Sequence, residues 1–333
     1  KSGAGVNPLI TRTDAGAIST STLGGLGDAI IRFDGTDYIT FDGIDVTASD
    51  QGIEYGYLTH KPDGTNGCQF VTIKNAVVTM TKGTSGYVVG IYIGNGASTA
   101  SSATGVTVTA TSGINSDITI TGNTIQNVHA GIVSRGSSAA GFSDNNVIIG
   151  QSGAGNIIQN FGGGNVSTTY AVYFIYVSNP SVAYNTINNE GGGGVAHGST
   201  LYGIFYSTGV TGNIVGSNNS FTLSNIAASS TTQYIYSSNL ATSNSFSYNT
   251  FAAGTISSTG TVYLIYASSS TPDVTVSGNV TVGTITHGGG STYCYYNFGS
   301  PASGTETITN NNFSNITVST GSSGLYGIYT NTA

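Results

Sequence analysis

Apolar residues along the chain either alternate with polar ones or come in groups of three to five, and nowhere recur at the interval of a helix face. The runs are rich in Val, Ile, Thr, Tyr and Phe and end at Gly, Ser or Asn, as in ITITGNTI and VAYNTI. This pattern predicts many short strands separated by turns, an all-β chain. The strands recur. Tyr176 in YFIY, Tyr206 in GIFY, Tyr236 in QYIY, Tyr266 in YLIY and Tyr296 in YCYY lie 30 residues apart, and Tyr329 in YGIY follows after 33. Tyr92 in GIYIG and Tyr57 in YGYL are looser upstream copies. A second register runs through Asn123, Asn156, Asn185, Asn219, Asn249, Asn279 and Asn312, at spacings of 33, 29, 34, 30, 30 and 33. Two registers with one period define a repeating unit.

A propeller blade of ~40 residues with its own signature does not fit that unit. A hairpin array would need Asn-Gly or Asp-Gly loops between strand pairs, and the clear cases, Asp34-Gly35 and Asp42-Gly43, stand near the start. The expected fold is a parallel β-helix of about 30 residues per coil and roughly nine to ten coils, one continuous domain over residues 1–333. Residues 1–30 are the least repetitive and read as an entry coil. Glycine-rich pieces at 162–164, 191–194 and 288–290 read as turn insertions on one edge. The residues preceding each Tyr (Ile175, Phe205, Ile235, Ile265, Tyr295, Ile328) form a candidate core column. Neighbouring strand residues face opposite ways, so the Tyr column then points outward as a contact stripe; with the parity reversed it lines the interior.

Composition fits this architecture. Charged residues make up 6% of the chain, and 50 of 333 residues are Gly. Equivalent residues stack every ~4.8 Å in a solenoid, so like charges would be superposed, whereas neutral Asn, Ser, Thr and Tyr can form ladders. Net charge is −7, and every Lys and Arg lies at or before Arg135. Nucleic acid as a partner is excluded by the missing basic footprint, and no apolar run is long enough to span a membrane.

Candidate chemistry is sparse. Asp34 and Asp42, like Asp37 and Asp45, read as turn residues. Asp42, Asp45, Asp50 and Glu54 are candidate hard-oxygen ligands for Ca²⁺, without the spacing of a Ca²⁺ loop; otherwise no cofactor or metal is expected. His60, His129, His197 and His287 read as turn residues. His197 and His287 lie three coils, ~14 Å, apart, too far to share a metal. Cys68 and Cys294 lie about seven coils, ~34 Å, apart, beyond disulfide reach, and read as free, buried small hydrophobes. No Ser elbow occurs, and no catalytic residue is assigned.

The stretches KSGAGVNPLITRTDAG, DAIIRFDGTDYITFDGIDV, GIEYGYL, GCQFVTIKNAVVTM, NTIQNVHAGI and NTINNEGGGGVAHGSTLYGI resemble the β-helix region of very large secreted surface proteins of Bacteroidota. The resemblance is strong to about residue 215 and generic beyond it. It implies a right-handed parallel β-helix of the pectate-lyase-like superfamily, export by the type IX secretion system, and a chain that is an internal segment of a longer one. It also implies a structural or adhesive role at the cell surface, without a known catalytic site. The leading expectation is an extracellular surface fibre that assembles with further copies of itself, possible contacts being surface glycans or other cells. The alternative is a β-helix that binds or cleaves polysaccharide, with Tyr stacked on sugar rings.

Overall fold

A computed structural model describes residues 5–14, 27–83, 86–97, 105–163, 167–238, 241–252, 254–267, 272–299, 304–319 and 324–331. The chain winds as a parallel β-solenoid of about 9 turns with ~32 residues per turn. Among the described residues the strands fall into three long sheets. Sheet I has ten strands, from Ala29–Asp34 to Leu325–Asn331. Sheet II has nine along its main path, from Thr40–Asp42 to Glu306–Thr309, with Val177–Ser178 as a tenth beside it, and sheet III has nine, from Leu9–Arg12 to Val280–Val282. A short fourth sheet joins Thr255–Ile256, Ile285–His287 and Ile316–Val318. Every pairing between these strands is parallel, each lying beside its counterpart in the next coil, and the two antiparallel bridges, Asp63 with Asn66 and Gln151 with Ala154, are isolated turns. Of the expected entry coil, residues 1–4 and 15–26 lie outside the described residues, and Leu9–Arg12 pairs with Asp45–Ala48 to open sheet III.

The interior is built from registered apolar columns. Tyr57, Ile91, Ile132, Val172, Ile204, Ile235, Ile265 and Tyr295 stack coil on coil at 0% exposure. Each such side chain contributes about 1.5–3 kcal/mol of transfer free energy. The expected core column is thus right at Ile235, Ile265 and Tyr295 and wrong upstream. Phe205 pairs with Tyr173 and Tyr236 on the outer face, its place inside being taken by Ile204. Ile175 is only half-buried, and Ile328, on the last strand of sheet I, is exposed.

Sheet I strands do not alternate strictly. In Val262–Ala267 the half-buried Tyr263 and Tyr266 flank two buried neighbours, Leu264 and Ile265. The register skips the extra residue in each coil, so the strand bends there and two outward positions stand three residues apart. In early coils the skipped position is glycine. A Cβ on Gly131 would lie 2.5 Å from the Ala171 carbonyl oxygen and 2.6 Å from Ile158 Cγ2.

Candidate functional site

The bend gives sheet I two outward columns. One runs Tyr173, Phe205, Tyr236, Tyr266, Tyr296, Tyr329; the other runs Tyr170, Tyr202, Gln233, Tyr263, Tyr293, Tyr326. Six coils at ~4.8 Å each make a strip roughly 24 Å long. The rings are half-buried, rising to 36% and 38% exposure at Tyr329 and Tyr326. Upstream the same columns hold Tyr55, Leu58, Val89, Tyr92, Ala130 and Val133, all buried. The aromatic strip is therefore the uncovered continuation of a face that is closed over the three coils from Tyr55 to Val133.

Ring orientation decides what the strip can offer. From Tyr236 on, the rings of one column lie nearly parallel, Tyr236–Tyr266 at 4.3 Å and 21°, Tyr266–Tyr296 at 4.9 Å and 14°, Tyr296–Tyr329 at 5.0 Å and 1°, whereas Phe205–Tyr236 meet at 70°. Across the columns Tyr263–Tyr266, Tyr293–Tyr296 and Tyr326–Tyr329 meet edge to face at 85°, 78° and 81°. Ring faces are thus largely taken up by other rings, leaving edges and hydroxyls as the outer rim. Burial, then neighbouring Tyr266, raises the Tyr236 phenol above its ordinary range, and the same causes push Tyr263 up to about 12. These hydroxyls stay neutral through the physiological range.

Of the six tyrosines expected in the stripe, Tyr236, Tyr266, Tyr296 and Tyr329 share one outward column. Tyr206 does not: it is fully buried, stacks on Phe174 at 5.5 Å and donates to the Val215 carbonyl at 2.6 Å. Tyr176 follows the strand Thr168–Ile175 in a left-handed turn (φ 53°), its ring against Gly209. The physical reason is register. Tyr236 pairs with Phe205, a step of 31 residues and one more than the 30 that links it to Tyr206, and a one-residue slip exchanges inside for outside.

The Asn register is a continuous hydrogen-bonded ladder at the corner between sheets II and III. Each Nδ2 donates to Oδ1 of the next coil's Asn: Asn123 to Asn156 at 3.0 Å, Asn156 to Asn185 at 2.9 Å, Asn185 to Asn219 at 3.0 Å, Asn219 to Asn249 at 3.3 Å, Asn249 to Asn279 at 3.0 Å. Each of these oxygens also accepts the backbone N–H of the preceding ladder Asn. The ladder then ends on Asn311, 2.8 Å from Asn279 Nδ2, and not on Asn312. The ladder residue follows a left-handed one at Gly122, Tyr184, Asn218, Tyr248, Gly278 and Asn310, so within Asn310–Asn312 the middle residue turns inward while Asn312 is exposed.

The candidate Ca²⁺ ligands are engaged separately. Asp42 accepts from Asn75 Nδ2 at 2.7 Å, which with Lys74 holds its carboxyl below the usual range. Asp45 accepts from Val77 N–H at 2.7 Å and Asn7 at 2.9 Å, Asp50 from the Asp14 N–H, and Glu54 from the Asp28 N–H at 2.6 Å. Among the described residues no three His, Cys, Asp or Glu side chains group as a metal site. The histidines, expected in turns, are buried, and His60 and His287 close the strands Tyr55–His60 and Ile285–His287. His129 and His197 each accept a backbone N–H on Nδ1, from Val88 and Gly163, and burial, then Lys82, lowers both to about 4. His197 and His287 are three pairing steps apart, through Asn225 and Ile256. Both cysteines are free and buried, their thiols pushed up to about 11 at Cys68 and about 12 at Cys294 by burial.

One cluster has no local sequence signal. Lys61 and Asp144, 83 residues apart, form an ion pair at 2.7 Å with both side chains 0% exposed. Asn115, also 0% exposed, completes it. A separate open groove of about 540 Å³ beside the short fourth sheet is lined by Glu190, Thr255, Ser257, Thr286 and Ser319, with Glu190 as its carboxylate.

No protein-family model and no curated protein matches the chain. Among solved structures it is similar to the Streptococcus pneumoniae surface protein and adhesin PfbA, at 11% identity and a TM-score of 0.41, over 96% of this chain and 85% of that one. A likeness at that level carries no conclusion about function.

Proposed function

We propose that this chain is a structural and adhesive rod of an extracellular surface fibre, and that the aromatic strip of sheet I is its contact face toward further copies of itself. The observation that carries the reading is the strip: eleven half-exposed aromatic rings on one bent sheet, continuous with a face that is closed upstream. Aromatic rims that combine apolar edges with neutral hydroxyls suit protein contacts. No Lys or Arg follows Arg135, so two such faces meet with little repulsion. The same ring geometry weighs against sugar stacking, which needs free ring faces. The open groove supplies Glu190 where glycoside hydrolysis uses a carboxylate pair.

The test is sedimentation velocity over a concentration series, with electron microscopy of the same samples. Wild type should form side-by-side assemblies, and the triple variant Tyr236→Ser, Tyr266→Ser, Tyr296→Ser should stay monomeric with unchanged far-ultraviolet circular dichroism. A wild type monomeric at every concentration overturns the proposal. Glycan-array binding lost in the triple variant would instead support the sugar reading.

A further inference from the structure

The cluster around Lys61 contains the parts of an acyl-transfer site inside the core. Lys61 Nζ is 2.7 Å from Asp144 Oδ1. Asn115 Nδ2 is 2.9 Å from the other oxygen of the same carboxylate, and the Asn115 backbone N–H is 2.9 Å from Oδ1. Asn115 Oδ1 accepts the Cys68 backbone N–H at 2.9 Å, and Nδ2 also donates to the Gly94 carbonyl at 3.0 Å. The side chains of Lys61, Asn115 and Asp144 are fully buried.

An amine, a carboxamide and a carboxylate that touches both are what amide exchange requires. The carboxylate can take a proton from the amine and hand one to the leaving nitrogen. A backbone N–H already on the carboxamide oxygen is placed to stabilise the oxyanion of a tetrahedral intermediate. Exclusion of water strengthens these interactions and protects the product from hydrolysis. A buried ion pair is, by contrast, weak evidence of a purely stabilising role, because desolvation offsets most of the attraction.

We propose that Lys61 and Asn115 condense into an intramolecular isopeptide bond, with Asp144 as the acid–base group. Asp144 accepts a proton from the Lys61 ammonium, and the neutral Nζ attacks Asn115 Cγ. The negative charge gathers on Asn115 Oδ1, against the Cys68 N–H. Asp144 passes the proton to Nδ2, the Cγ–Nδ2 bond breaks, and ammonia leaves, carrying off the second proton as ammonium. A secondary amide Nζ–Cγ remains and Asp144 is again a carboxylate. Nothing is oxidised or reduced. The bond would join the segment after the strand Tyr55–His60 to the segment before Ser116–Thr121, clamping neighbouring coils of a rod that carries load.

The primary experiment needs no variant. The intact mass of the folded, full chain, measured after denaturation, should be lower than the sequence mass by one ammonia. Trypsin, cutting after Arg32, Lys74, Lys82 and Arg135, should then give peptide 33–74 joined to peptide 83–135. The variants Lys61→Arg and Asn115→Ala should return to their own sequence masses. An intact wild-type mass equal to the sequence mass overturns the proposal. So does an ammonia loss confined to a linear peptide, which marks a cyclised Asn. Loss of one water with peptide 33–74 joined to the peptide holding Asp144 overturns Asn115 as the acyl donor.

Discussion

Replacing Asn219 by Asp tests the ladder with an isosteric change. Asn219 Nδ2 donates to the Val182 carbonyl at 2.9 Å and to Asn249 Oδ1 at 3.3 Å, while its Oδ1 accepts the N–H and Nδ2 of Asn185 at 3.0 Å each. In Asn219→Asp an oxygen takes the place of Nδ2 and faces two acceptors at 0% exposure. Ionised, it would be a buried charge against two lone pairs, so the folded chain keeps it protonated, donating once instead of twice. The lost bond costs about 1 kcal/mol. Holding the proton costs ~1.4 kcal/mol for each pH unit above the unfolded carboxyl's pKa of ~3.9, or about 4 kcal/mol at pH 7.

The sign follows from linkage. Above pH ~3.9 the unfolded variant has released this proton and the folded one has not. The unfolded state then binds fewer protons, and stability falls as pH rises until the raised folded pKa is reached. The assay is the difference in urea midpoint between wild type and Asn219→Asp from pH 3.5 to pH 7. The expected gap is about 1 kcal/mol at the acid end and about 5 kcal/mol at neutrality, a sum of the two terms above. A gap independent of pH would refute the assignment of Nδ2 as a double donor in the ladder, and so would no gap at all.

Three further outcomes follow from contacts already described. Tyr206→Phe removes the donor to the Val215 carbonyl and should cost about 1 kcal/mol, whereas Tyr234→Phe, whose buried hydroxyl has no partner among the described residues, should be neutral or stabilising; paired urea titrations separate them. Gly131→Ala drives a Cβ into the Ala171 carbonyl and Ile158 and should cost about 1–3 kcal/mol, while Gly198→Ala, with nothing within 4 Å, should stay within about 0.5 kcal/mol in the same assay. Native protein at pH 8 should show no thiol reacting with a disulfide reagent, and two after denaturation, because burial pushes Cys68 to about 11 and Cys294 to about 12.

The ladder was more legible in the sequence than the aromatic strip because a polar residue inside a corner cannot slip. An Asn moved by one position leaves its partners unsatisfied, so the side chain tracks the true coil length even as the step varies through 33, 29, 34, 30 and 30 residues. Tyrosine is satisfied on either face. Tyr206 inside and Tyr236 outside each make good contacts, so a constant 30-residue step could pass through both. The error at Asn312 has the same origin: three asparagines in a row hide which one follows the left-handed residue.

The second aromatic column was illegible for a different reason. Tyr170 and Tyr173, or Tyr263 and Tyr266, stand three apart, and in a regular strand residues three apart face opposite ways. Only the bend at the skipped residue turns both outward, and its sequence mark changes from coil to coil: Gly131, Ala171, Gly203, Tyr234, Leu264, Cys294, Gly327. At Gly131 and Gly203 a Cβ would clash with the carbonyl of the next coil, while at Gly327, on the last strand of sheet I, it would meet open space. At Leu264 and Cys294 the same position carries a buried side chain and the rings of the two columns stand edge to face, as in Tyr263–Tyr266, whereas outside Ala171 they are parallel, as in Tyr170–Tyr173 at 6°. Gly327 stands at the same position with Tyr326–Tyr329 edge to face at 81°, whereas Gly203 stands there with Tyr202–Phe205 parallel at 8°, so the size of the inner residue does not by itself set the ring packing outside it.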